Sequence, residues 1–334
     1  MGFRRGVDDL DDRWRQCALA LHARRPVVDA HCDTVLRWAR GEGLARAPSA
    51  QVDLERLRQG GVRLFFCSLF VERVYPPGSR LLRALQLLDC FWREYEQHSD
   101  EVMLVRNRRD LRCLEATSRV GVLLTLEGGE ALEEDLAVLR QLFRLGIRGM
   151  SLTWNYRNAL AGGVAEEHGP ELSDFGRQVV REMNRLGMVV DVAHLSEKAF
   201  WQVLEISERP VVATHANAYR LCPHPRNLKD DQLRALAASG GVVGVTSVPG
   251  FIDPRAPSLE RLVDHLEYLC SLIGVEAVGL GSDFDGTEER LAHLEDAGSF
   301  PNLTARLLAR GFREADVVRI LGGNWLALLE KILP

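Results

Sequence analysis

The chain has 334 residues, 46% hydrophobic and 27% charged, the mix of an ordinary folded domain. A formal net charge of -5 leaves no broad basic field and argues against nucleic acid as a partner. No apolar run approaches the length of a membrane span, and residues 1–14 lack the apolar stretch of a secretory signal, so the expectation is a cytoplasmic protein that engages no membrane.

Short apolar runs alternate with segments of helical period. Eight strands are expected, over 26–31, 62–70, 120–127, 147–153, 188–194, 210–215, 241–247 and 277–283. Most are near-continuous in Val, Leu, Ile, Gly and Ala, as parallel strands buried on both faces require. Between them, Leu81, Leu85, Leu88, Trp92 and Tyr95 form one apolar stripe, and Leu132, Leu136, Leu139 and Phe143 another. Ser173 is placed to cap a helix carrying Phe175, Val179, Met183 and Leu186, with Gly187 as its stop. Arg106, Arg108 and Arg109 read as a solvated loop. The seven cysteines, an odd number with no C-x-x-C pair, read mostly as buried thiols in a reducing compartment. The expected architecture is α/β, a single-domain (β/α)8 TIM barrel with its core over about 26–331, an N-terminal helix and short C-terminal helices. A doubly wound open sheet is the alternative on pattern alone.

Polar residues collect where the apolar runs end. His31, Glu127, Thr153, His194, His215, Ser247 and Asp283 all lie at or just past such an end, the face where barrel enzymes build their sites. In an extended chain His31 and Asp33 point one way and Cys32 the other, which sets an imidazole beside a carboxylate, a pair suited to a divalent metal. A capped strand end with an incidental histidine is the plainer reading. His194 and His215 close consecutive strands, so their imidazoles would stand side by side. Glu127 ends an apolar strand that would otherwise bury an unpaired carboxylate, and its two oxygens can touch two cations. Asp283 falls at the same mouth. Asp285 shares its parity and reads first as a turn former. The glycines of GLGSDFDG at 279–286 do not make a dinucleotide loop, because Phe284 stands where the third Gly is needed. No G-x-S-x-G, H-E-x-x-H or C-x-x-C motif is present.

These residues lie in stretches that closely resemble the membrane (renal-type) dipeptidase family of amidohydrolase-like barrels. The matches are DAHCDT at 29–34, TLEGGEAL at 125–132, MNRLGMVVDVAHLS at 183–196, HPRNLKDDQL at 224–233 and GSDFDG at 281–286, then FPNLTARLLARGF and ILGGN. They run in family order over nearly the whole chain, most similar to the bacterial members that lack a signal and lipid anchor. The resemblance implies that His31 and Asp33 bind one zinc, His194 and His215 a second, and Glu127 bridges them. It implies that two such divalent ions activate a shared water, that Asp283 carries the proton, and that Arg226 meets the substrate carboxylate. Without the resemblance, Arg226 reads as an exposed loop arginine. The expected activity is hydrolysis of small dipeptides, including those with a C-terminal D-residue, and a homodimer is a family expectation. One departure stands out. Where the animal enzymes carry a substrate-contacting His, this chain has Trp154, followed by Asn155 and Tyr156. Trp154 and Asn155 are therefore substrate-side candidates, with the lost polar role unassigned. Two other readings compete: a barrel amidohydrolase acting on a lactone, cyclic amide, acylated amino acid or phosphoester, and a catalytically silent binding barrel.

Overall fold

The computed structural model describes residues 12–166 and 171–334. Most of the 1–14 stretch, and residues 167–170, lie outside the described residues. The strands are β1 (Val27–Cys32), β2 (Val62–Phe70), β3 (Val102–Leu104), β4 (Val120–Glu127), β5 (Ile147–Ser151), β6 (Val189–Asp191), β7 (Val211–Val212), β8 (Val243–Val245) and β9 (Val278–Leu280). All pairings are parallel, in the order β7-β6-β5-β4-β2-β1-β9-β8. A parallel bridge between Ala213 and Val243 joins the two ends of this path, so the sheet curls into a nearly closed barrel.

β3 was not expected. Its residues pair with Val120, Gly121 and Val122, on the edge of β4 that β5 takes over from Leu124, because β2 holds the other edge along its length. Three residues between two helices are too short for a periodic signal. Several expected strands also overshoot at their C-terminal ends, where 188–194 stops at Asp191 and 277–283 at Leu280. The chain leaves the ladder there to aim side chains over the mouth. His194 and Asp283 have φ of 68° and 66°, in the left-handed region that no strand uses.

The helix Asp174–Leu186 keeps its expected ends: Ser173 Oγ accepts from Gly176 N at 2.9 Å, and Gly187 closes it with φ 75°. In the helix Leu136–Arg144, Leu139 and Leu142 are buried while Leu136 and Phe143 pack at the margin. The helix Arg80–Gln97 is turned from its expected stripe. It buries Ala84, Leu87, Leu88 and Phe91, and leaves Leu85 39% exposed. Its many leucines support two registers, and packing selects the one that seats Phe91. Arg108 and Arg109 are exposed but open the helix Arg108–Glu115 rather than a loop, because Asn107 caps it by accepting from Asp110 N at 2.9 Å.

Strand parity divides the core. Val27, Phe65, Cys67, Val122 and Leu124 belong to the cluster packed with the surrounding helices. Val28, Ala30, Leu64, Phe66, Leu123, Val189 and Val212 instead cluster with Trp325, Leu328 and Leu329 of the helix Asn324–Ile332. Trp325 lies edge-on to Phe66 and donates its indole N–H to Leu280 O at 3.0 Å. A Cβ at Gly279 would come within 2.3 Å of that indole nitrogen, so the glycine makes room for it. The barrel is thus sealed at the end where the strands begin. The other end is left for a site.

Candidate metal centre

Five side chains from four strand ends converge at the open mouth. His31 Nε2 lies 3.6 Å from Asp33 Oδ2 and 3.6 Å from Glu127 Oε2. The other oxygen of Glu127 faces a second set: Oε1 is 2.8 Å from His194 Nε2 and 3.8 Å from His215 Nε2. The two imidazole nitrogens stand 2.8 Å apart. Asp283 Oδ1 is 3.9 Å from His31 Nε2. Donor atoms within each of three groups, His31–Asp33–Glu127, Glu127–His194–His215 and His31–His215–Asp283, all lie within 4.8 Å of one another.

Two buried aspartates build this geometry. Asp29 accepts from Ser282 N at 2.7 Å and Ser282 Oγ at 2.5 Å, which locks the turn after β9 against β1. The ladder then continues past both strands, with Asp283 N donating to His31 O at 3.0 Å and Asp33 N to Phe284 O at 2.9 Å. Asp191 does the same work between β6 and β7, accepting from Ala193 N at 2.9 Å, Thr214 N at 3.0 Å and Thr214 Oγ1 at 2.5 Å. Asp29, Asp191, Thr214 and Ser282 were not singled out from the sequence. An acid inside an otherwise apolar strand was the available signal, since a buried carboxylate must find donors.

The electrostatics fit a divalent cation. Burial opposes charge on His31, yet Glu127 and Asp33 overcome it and raise its pKa well above the ordinary value. Burial also opposes charge on Glu127, but His31 and His194 hold it well below the usual carboxylate range. Burial, then Glu127 beside it, pushes Asp33 up to about 8. Burial pushes Asp283 up to about 6, with His31 pulling the other way. Burial, reinforced by Arg226, takes His194 down to about 3, and burial with His31 holds His215 well below its ordinary value. Three acidic side chains therefore crowd one imidazole whose charge they favour, beside two whose charge burial disfavours. His31 Nε2 and Asp33 Oδ1 are buried without a hydrogen-bond partner. That is a costly arrangement which a bound cation relieves, and imidazole nitrogens with carboxylate oxygens are the donors zinc, manganese or iron take.

Above the cluster opens a cavity of about 540 Å3, lined by Asp33, Glu127, His194 and Asp283 together with Phe70, Trp154, Asn155, Arg226 and Phe251. Arg226 lies in a loop but is only 5% exposed, not the exposed arginine its local sequence suggests. Its Nη2 donates to His215 O at 3.1 Å and lies 3.2 Å from His194 Nε2, while Nε has no partner. A buried guanidinium that lines a cavity carries the planar donor fork that suits a carboxylate. Trp154 forms an apolar wall, its ring 5.3 Å from Phe70 and 6.2 Å from His194. Asn155 also lines the cavity, but its Oδ1 is 2.7 Å from His194 Nδ1. Tyr156 is exposed and carries the Arg73 guanidinium 3.9 Å over its ring. Asp285 accepts from Gln51 N at 2.7 Å and lies 3.4 Å from Arg37 Nε.

The family model for membrane dipeptidase (peptidase family M19) matches residues 15–333. Dipeptidase tcpJ of Claviceps purpurea (strain 20.1) is 34% identical over 300 residues, 85% of this chain and 70% of that one. Dipeptidase verJ of Clonostachys rogersoniana is 34% identical over 344 residues, covering 97% of this chain and 88% of its own. The crystal structure of a metallo peptidase from Rhodobacter sphaeroides, liganded with a phosphinate mimic of the dipeptide L-Ala-D-Ala, shares 28% identity. It superposes with a TM-score of 0.87 over 92% of this chain and 99% of that one. Among the described residues, no helix is long and apolar enough to cross a membrane. With its barrel, its buried histidine and carboxylate cluster and these matches, the chain belongs to the membrane dipeptidase family, the M19 metallopeptidases, and is a dipeptidase.

Proposed function

We propose that the chain hydrolyses small free dipeptides, including those ending in a D-residue, with two divalent ions, zinc foremost. The observation that carries this reading is the split of Glu127, whose two oxygens face different donor sets. His31 and Asp33 would hold one ion, His194 and His215 the other, and Glu127 both. Bound there, such ions supply an acidified water and a Lewis acid for the scissile carbonyl.

The chain's own groups do the rest. Asp283, with its carboxyl near 6, takes a proton around neutral pH and returns it to the leaving amine, which departs poorly without one. Arg226 pairs with the substrate's free carboxylate and so fixes which end of the peptide enters. Phe70, Trp154 and Phe251 line the cavity with rings and keep water off the reacting bond. The ligand of the R. sphaeroides metallo peptidase supports a D-residue at the second position.

The test pairs metal analysis with a substrate panel. The expected result is two ions per chain, turnover of free dipeptides with L- or D-residues at the C-terminus, and loss of turnover in chelator. Asp283→Asn should keep the metal and lose about 10²–10⁴-fold in kcat. Arg226→Ala should raise KM for free dipeptides and narrow their advantage over C-terminal amides. Equal turnover of dipeptides and long peptides by the metal-loaded protein would overturn the reading.

A further inference from the structure

An imidazole that binds a cation through one nitrogen must carry its proton on the other, and the partner of that proton sets where the lone pair points. Both histidines of the His194–His215 pair have such a partner, and neither partner is a metal-ligand candidate. We infer that Asn155 and the Thr214–Asp191 pair are positioning residues that aim the two Nε2 lone pairs at one shared ion. The inference rests on the metal reading above.

For His194 the bound ion decides the assignment. Nε2 faces Glu127 Oε1 at 2.8 Å, His215 Nε2 at 2.8 Å and Arg226 Nη2 at 3.2 Å, and it is the nitrogen that would be given to the cation these groups surround. The proton is then on Nδ1, and Asn155 Oδ1 accepts it at 2.7 Å. For His215 a hydroxyl decides. Thr214 Oγ1 commits its single proton to Asp191 Oδ2 at 2.5 Å, so toward His215 Nδ1, 2.9 Å away, it can only accept. Both lone pairs consequently converge on the space beside Glu127 Oε1.

The two supports differ in stiffness. Thr214 and Asp191 are buried, and a Cβ at Gly244 or Gly281 would come within 2.0 Å and 1.7 Å of Thr214 O, so the backbone there is clamped from two strands. Asn155 sits half-buried on the loop after β5, lines the cavity, and is held by Ala165 N donating to its carbonyl at 2.8 Å. It serves the metal centre from the substrate side.

The experiment uses the full chain stripped of metal, titrated with zinc by calorimetry and with cobalt(II) by its visible spectrum. The variants are Asn155→Leu, Asn155→Asp, Thr214→Val and Thr214→Ser. Wild type should take up two ions. Asn155→Leu and Thr214→Val should each weaken one ion by about 10–100-fold, leave the other alone, and change the cobalt spectrum. Asn155→Asp and Thr214→Ser, which keep an acceptor, should stay near wild type. The half-buried Asn155 pair tests the idea even where Thr214→Val folds poorly. Wild-type affinity for both ions in Asn155→Leu would overturn the inference, as would equal weakening by Thr214→Ser and Thr214→Val. A wild-type protein that binds no metal would sink the metal reading itself, and the inference with it.

Discussion

Gly286 sets how closely the chain approaches the carboxylates beside His31. A Cβ there would stand 2.3 Å from Asp283 Oδ1 and 2.6 Å from Asp33 Oδ2. Both are the far ends of side chains, so the fold can survive while the two acids are pushed aside. Gly286→Ala should therefore keep its thermal midpoint yet lose metal affinity by about 10–100-fold, the range for disturbing a ligand's surroundings. Parallel calorimetric titration and melting curves check this; an unchanged affinity would count against it. The ligand spacing itself was legible, since strand parity pairs His31 with Asp33 and consecutive strands pair His194 with His215. What sequence could not give was contact between loops. The burial of Arg226 and the grip of Asn155 on His194 depend on how two separate loops fold over one mouth.

At the scale of elements, strand positions were readable because parallel strands buried on both faces are continuous in apolar residues. Their ends were not, because His194 and Asp283 turn out through left-handed backbone. The helix Arg80–Gln97 shows the complementary difficulty: leucines on more than one face leave its rotation to packing. The helix Asn324–Ile332 has a clearer task. Trp325 is fully buried between Phe66 and Leu280, at the end of the barrel opposite the metal centre. Barrel residues at that end serve stability rather than chemistry. Trp325→Ala should cost about 3–5 kcal/mol in urea unfolding. The remaining native enzyme should keep its kcat, and a large fall in kcat without loss of stability would contradict this division.

Across the whole molecule, elements far apart in the sequence meet on one flank. The helix Asp12–His22 packs on the helix Phe300–Ala309, and His22 ties both to the turn at Gly60. Gly60 O can only accept, so His22 Nδ1 carries the proton, at 2.7 Å, and Nε2 accepts from Thr304 Oγ1 at 2.7 Å. Burial lowers the His22 pKa from 6.5, although the bond to Gly60 pulls the other way. The sign follows. The unfolded chain takes a proton on His22 as pH falls through 6.5, while the folded chain resists it, so this site's stability is full above that pH and is lost progressively below it. His265 is lowered by burial as well and adds to the same background slope. His22→Gln removes one titrating group and leaves the others. Measured in chelator, so that metal release does not intrude, its thermal midpoint should fall less than that of wild type between about pH 7 and pH 5. Parallel curves for the two proteins over that window would show that His22 does not couple this contact to pH.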